Sequence, residues 1–336
     1  YRRMIQVTLF VSRGDSRLTE IRNNLEQLQD EHPHQLHTID IDQDETLKAA
    51  YEDKAPVLDI GIFRLVDSFG ISDIRFAFEK AEERLTQAKS KGNLALVNRM
   101  TLPLEMTSAD RISHWFSHHY MSLLNGFVFL YVFLAILAPS FMKISWEVPA
   151  RVIYRVYSPL CHQLAFRSFF LFGEQTFYPL ELVNVDGMVS YEQASGLDSS
   201  QINAARAFIG NEVMGYKTAL CQRDLAIYST ILIFGVIFSV TGRKIKPIPW
   251  YLWVIIGLGP IGLDGFSQLL SQTGLAIFNW IPLRESTPLF RIITGSLFGL
   301  FTVWYGYPFL EESIVENRRE MELKNAIVSQ INEKKD

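Results

Sequence analysis

Between Leu263 and Thr294 the chain reads LDGFSQ and then PLRESTPLFRIITG, an apolar region that nevertheless carries Asp264, Arg284, Glu285 and Arg291. A charge deep in a bilayer is costly unless it faces a partner or a water-filled cavity. The constraint points to a membrane protein with a buried polar site. It names no reaction.

The rest of the chain is divided in character. Of 336 residues, 48% are hydrophobic and the formal charge is -4, a length that accommodates about two domains. Residues 1 to about 110 are charged and read as soluble, whereas most of the apolar mass lies between about 121 and 310. The mild acidity is spread along the chain, so nucleic acid is not an expected partner. The first residue is Tyr1 rather than Met, which leaves room for an earlier start or a targeting segment. Cys161 and Cys221 are too few for a disulfide scaffold and enough for one bridge.

Met4 to Val11 alternates and is rich in β-formers, which predicts a strand. Arg17 to His32 places Leu18, Ile21, Leu25 and Leu28 on one helical face. A second strand is expected over Leu36 to Ile41, then an acidic turn and short helix to Tyr51, a hairpin (Val57 to Ile60, Ile62 to Val66) and a helix from about Ser72 to Lys89. That order predicts an α/β domain over residues 1–92. The segments VTLFVSRG (7–14), TIDIDQDETLKAAYED (38–53) and APVL (55–58) resemble a thioredoxin fold of the glutaredoxin-like kind. The resemblance implies a cis bond at Ala55–Pro56. Such domains carry C-x-x-C after the first strand, and here Asp15 and Leu18 stand in those places, so the implied domain is redox-inactive, a docking or stabilising module for membrane-protein partners.

QAKSKGN (87–93) marks a boundary, and residues 93–120 read as linker and juxtamembrane helix. There His114 and His118, at i and i+4 with His119 adjacent, have a spacing that suits either a metal or an aromatic interface beside Trp115 and Tyr120. Met121 to Met142 is long enough to span the membrane. Further spans are expected over Leu225–Thr241, beginning nearer Cys221, over Tyr251–Leu270 and over Leu289–Pro308. The predicted fold is thus a thioredoxin-like α/β domain followed by an all-α transmembrane bundle of about four spans (121–310), with a charged helix over 311–336. Arg243, Lys244 and Lys246, and Arg318, Arg319 and Lys324 after the last span, predict cytoplasmic N- and C-termini in a cell (plasma) membrane. The segment 143–220 would then lie outside. Within it Val148 to Phe172 is amphipathic, Gly173 to Gly215 resembles an insertion with a short helix opened by Ser199 or Ser200, and Tyr216 to Tyr228 re-enters the membrane.

Four pieces of this half recur as a set: CHQ (161–163) followed by Arg167–Ser168, CQRD (221–224), LDGFSQ (263–268) and REST (284–287) with Arg291. The series resembles a family of predicted polytopic membrane proteins that carries no assigned activity. Asp264 and Gln268 lie one turn apart and face one direction, and Thr287–Pro288 suits an N-cap and first helical residue. The topology brings Cys161, His162, Arg167, Cys221, Arg223, Asp224, Asp264, Gln268, Arg284, Glu285 and Arg291 towards one edge of the membrane. Several readings stand side by side. Asp264 and Asp224 can simply neutralise Arg291, Arg284 or Arg223, and the cysteines can form a structural disulfide. The site can serve a scaffold or assembly subunit, slightly favoured, with Arg284, Arg223 and Arg291 able to clamp a phosphate-bearing lipid headgroup. It can be a thiol–disulfide or quinone-coupled redox centre, with His162 and Asp264 moving protons. It can also bind zinc through Cys161, His162 and Cys221, completed by Asp224 or Glu285. The lipid bilayer is the one partner all these readings share.

Overall fold

The computed structural model describes residues 4–273, 280 and 282–334. Tyr1, and Lys335 at the end of the expected charged helix, lie outside the described residues. The chain divides into two compact units, Tyr1–His118 with Ile314–Asp336, and His119–Ser313.

The first unit is an α/β layer structure. Its strands β1 (Ile5–Val11), β2 (His34–Asp40), β3 (Val57–Ile60) and β4 (Phe63–Val66) form one mixed sheet in the order β2-β1-β3-β4. β1 runs parallel to β2 and antiparallel to β3, and β4 is antiparallel to β3. Alternation along the strands makes two apolar faces. Ile5, Val7, Leu9, Leu58 and Ile60 pack beneath helices Leu18–Gln27, Ile71–Ser90 and Leu94–Thr101. Phe10, Ile39, Ile41, Leu47 and Val57 point the other way, where Leu323, Ala326, Ile327 and Ile331 cover them. Gln330 also bonds the main chain of Asp40, its side-chain oxygen accepting from the amide at 2.9 Å and its nitrogen donating to the carbonyl at 2.8 Å. The C-terminal helix, expected as a charged helix, turns one apolar face inward and completes the sheet's core. The Ala55–Pro56 bond is cis, as anticipated.

Among the described residues four helices are long and apolar enough to cross a membrane: Ser108–Lys143, Gln222–Val240, Trp250–Gln272 and Pro288–Glu333. Their number matches the expectation and their limits do not. The anticipated juxtamembrane helix is the first part of the first span, one helix that runs from Ser108 to Lys143 and accommodates Pro139 in its last turns. The fourth helix likewise runs through Pro308 and continues to Glu333 as the anticipated tail.

The second unit is also not all-α. A small antiparallel sheet, β5 (Ser168–Leu171), β7 (Gly215–Cys221) and β6 (Gly210–Asn211), is built in the segment before the second span. In the stretch expected to re-enter the membrane, Tyr216–Cys221 is strand and helix begins at Gln222, next to the expected start of the span at Cys221. Gly215 makes the turn possible. Its φ is +75° and a Cβ there would lie 2.2 Å from the Leu171 carbonyl oxygen. The insertion shares a core with the segment just before it, in which Phe166 and Phe170 pack with Tyr178, Tyr191 and Met214. Its helices are Tyr191–Ser195, capped by Ser190, and Ile202–Ala207, whose N-cap is Gln201 rather than Ser199 or Ser200.

Candidate functional site

In the third span the usual arrangement of a soluble helix is inverted. Leu263, Phe266 and Leu269 are 74, 62 and 61% exposed, whereas Asp264 and Gln268 are 4 and 7% exposed. The polar stripe is the one that packs inward. This is the pattern of a membrane helix that turns its charges towards neighbouring helices.

What the stripe meets comes from the segment before the fourth span. Thr287 caps that helix, its hydroxyl accepting from the Phe290 amide at 3.2 Å, and the chain just ahead of it is aimed back at the third span. Asp264 accepts from Arg284 and from the Ser286 hydroxyl at 2.6 and 2.7 Å, and from Arg223. Glu285 accepts two parallel bonds from Arg167, at 2.7 and 2.8 Å, and one from Gln272 at 3.2 Å. It is also bonded by Gln268 and by Arg291. Asp264 thus serves two guanidinium groups and Glu285 two more. The pairing expected for Arg291 with Asp264 or Asp224 is replaced by pairing with Glu285.

The cysteines are positioned by the small sheet. β5 and β7 pair with Ser168 opposite Cys221, so the end of the CHQ segment lies beside the start of CQRD. Gln163 locks the two together. Its side chain donates to the Tyr154 and Ala219 carbonyls at 2.9 and 3.1 Å, and its own backbone sits in the left-handed region at φ 53°. A non-glycine residue there costs roughly 1–2 kcal/mol, which two buried hydrogen bonds offset. Gln222 donates to the Ser168 carbonyl at 3.2 Å from a fully buried position. Both glutamines stand inside the motifs, yet their positioning role has no signature in spacing or charge.

Cys161 and Cys221 are free thiols. Cys221 is the N-cap of the second span, its sulfur accepting from the Asp224 amide at 3.5 Å, and its own amide donates to the Cys161 sulfur at 3.3 Å. The hydrogen bond from the Cys161 thiol holds Cys221 below the ordinary thiol range, and a helix N-terminus favours the thiolate further. Giving that hydrogen bond, together with burial, pushes Cys161 up. The two sulfurs and a carboxylate oxygen of Asp224 lie within 4.8 Å of one another, the one such cluster of three metal-type ligands among the described residues. The His114–His118 pair belongs to no such cluster; His118 faces Glu322 at 3.1 Å.

These groups share a cavity of about 390 Å³, lined by Cys161, His162, Cys221, Asp224, Arg167, Arg223, Gln268 and Arg291. The anticipated set therefore comes together, with a division of labour. Asp264, Glu285 and Arg284 stand behind the wall and anchor it, and eight of the eleven named residues line the space. Beneath it Lys217, 1% exposed, donates to the Gln163 and Arg206 carbonyls, both at 2.7 Å, and burial pushes its ammonium down to about 7.

A sequence profile of a family described as "Predicted membrane protein (DUF2085)" matches residues 203–305. That stretch holds the last three of the four motifs and stops short of Cys161. The "Uncharacterized protein MJ1492" of Methanocaldococcus jannaschii is 28% identical over 205 residues, 58% of this chain and 95% of that protein. No solved structure matches.

Proposed function

We propose that this membrane protein holds a metal ion, zinc by the chemistry of its donors, at Cys161, Cys221 and Asp224. The observation that carries the reading is the approach of two unbonded thiols and one carboxylate to within 4.8 Å. Two sulfurs and an oxygen suit a borderline-soft divalent ion. Three protein ligands leave a fourth position for water or for His162, which follows Cys161 directly and lines the same cavity. A bound zinc would supply Lewis acidity and an acidified water. The chain's own residues would do the rest: Gln163 and Gln222 hold the sulfurs in register, and Arg167, Arg223 and Arg291 present positive charge to whatever enters. A scaffold role requires none of these groups in one cavity, which favours a working site over the scaffold reading.

The site would open away from the cytoplasm, since Arg243, Lys244 and Lys246 lie in the loop joining the opposite ends of the second and third spans. Four spans would then place both termini inside. The order β2-β1-β3-β4 also agrees with a glutaredoxin-like reading of the first unit, and with Asp15 and Leu18 in the thiol positions that unit would act in docking.

Metal analysis of detergent-purified protein should find about one zinc per chain, as a closed or three-ligand protein site predicts. Cys161→Ser and Cys221→Ser should abolish it and Asp224→Asn should weaken it. Wild-type protein free of metal, after purification without chelator, would overturn the reading. A second reading, thiol–disulfide exchange, is favoured by the hydrogen bond from Cys161 to the more acidic Cys221. It requires that metal-free protein form an internal disulfide reversibly under mild oxidants, and that Cys221 be alkylated first.

A further inference from the structure

Both carboxylates behind the cavity are saturated with donors. Glu285 accepts from Arg167, Arg291, Gln268 and Gln272, and Asp264 from Arg223, Arg284 and Ser286. A guanidinium carries five N–H groups, so each arginine keeps donors that these carboxylates do not take. One is explicit: the Nε of Arg223 is buried and has no hydrogen-bond partner among the described residues.

The charge count agrees. On the cavity lining itself three guanidinium groups, of Arg167, Arg223 and Arg291, meet the one carboxylate of Asp224, because Asp264 and Glu285 stand behind the wall. A divalent ion bound by two thiolates does not change that balance, because the ligands cancel its charge. An anion in the cavity supplies the missing acceptor and meets a predominantly positive lining.

We infer that the cavity takes a phosphoryl group, bound by Arg167, Arg223 and Arg291 beside the Cys161–Cys221–Asp224 cluster. Three guanidinium groups from three separate elements suit a ligand with three terminal oxygens better than a two-oxygen carboxylate. The inference deepens the metal-site reading and rests on it for the ligand's neighbour, while the arginines stand without it. A volume of about 390 Å³ admits a phosphate and a short organic portion. The phosphoryl group can come from a soluble phosphate or from a lipid headgroup, since the site lies at the end of three spans.

The test uses the full chain in detergent, titrated with inorganic phosphate at constant ionic strength, with acetate as the two-oxygen control. Phosphate should stabilise the protein against heat and acetate should not. Arg167→Gln and Arg223→Gln should each weaken phosphate about ten- to hundredfold, the loss expected for one charged hydrogen-bonding partner. Arg151→Gln removes the same charge from an exposed position outside the site, where the side chain pairs with Glu147, and should change affinity less than about threefold. Nanodiscs of phosphatidylcholine with and without phosphatidic acid separate the sources. If the acid lipid displaces phosphate the ligand is a headgroup, and if it does not the ligand is soluble. Absence of phosphate binding, equal binding of acetate, or equal losses in all three arginine variants would overturn the inference. Repeating the titration on chelator-treated protein separates the two readings. Phosphate binding without metal sinks only the metal site, and metal without phosphate binding sinks only this inference.

Discussion

Lys217 is the residue whose titration the fold alters in the most testable way. Its ammonium is buried against two carbonyls and loses its proton at about 7, whereas an unfolded chain releases it near about 10.4. Between those values the unfolded state binds more protons, so stability should climb as pH rises from about 7 towards 10, and this group should add no slope below 7. In Lys217→Met that part of the slope should vanish, as measured by thermal unfolding midpoints of both proteins across the pH range. An unchanged slope would remove Lys217 as the cause. Nothing about Lys217 is visible in the sequence, where it sits in the run that reads as re-entering the membrane. Asp264, Arg291 and Glu285 were visible, because a charge in an apolar region is conspicuous whatever the fold. Their partners were not, because pairing depends on which helix face meets which, and Glu285 rather than Asp264 turned out to serve Arg291.

Among the elements, the second and fourth spans owe their approach to Gly295 and Gly299, four residues apart on one face. A Cβ at Gly299 would stand 2.4 Å from the Ile227 carbonyl oxygen and one at Gly295 2.7 Å from that of Arg223. Small residues at this spacing let membrane helices pack closely, and here the contact sets where Arg223 stands relative to Arg291. Gly299→Leu should therefore lower stability by about 1–3 kcal/mol or more, the range for overpacking. Gly306→Leu, at a glycine with open space around it, should change little. Thermal unfolding of the two variants in one detergent makes the comparison, and equal midpoints would refute the packing argument. The spacing was present in the sequence as GSLFG but has no force until a partner helix is known. The four spans themselves were legible from local apolar length. The strand Gly215–Cys221 was not, because β5 and β7 satisfy one another's backbone across the whole of the intervening segment 172–214.

At the scale of the molecule, the first unit is made from both ends of the chain. Ile327 and Ile331, 9 and 3% exposed, cover the face of Phe10, Ile39 and Val57. Replacing both with Ala should cost roughly 2–5 kcal/mol per side chain at most and speed proteolysis within residues 4–66, while metal content in the second unit stays at the wild-type level. Proteolysis at the wild-type rate would show that the tail is dispensable to the sheet. The sequence alone determined which segments are apolar enough to span, where the strands of the first unit run, and that ionisable side chains must gather in the membrane half. Those are local matters: alternation, length and the cost of a bare charge are properties of a few neighbouring residues. The tertiary structure alone decided that Cys161 meets Cys221 and Asp224, that Glu285 joins two arginines, and that the far end of the chain closes the first sheet. Each of these rests on surfaces that come together only after the helices and strands have formed, and no spacing along the chain encodes the distance between them.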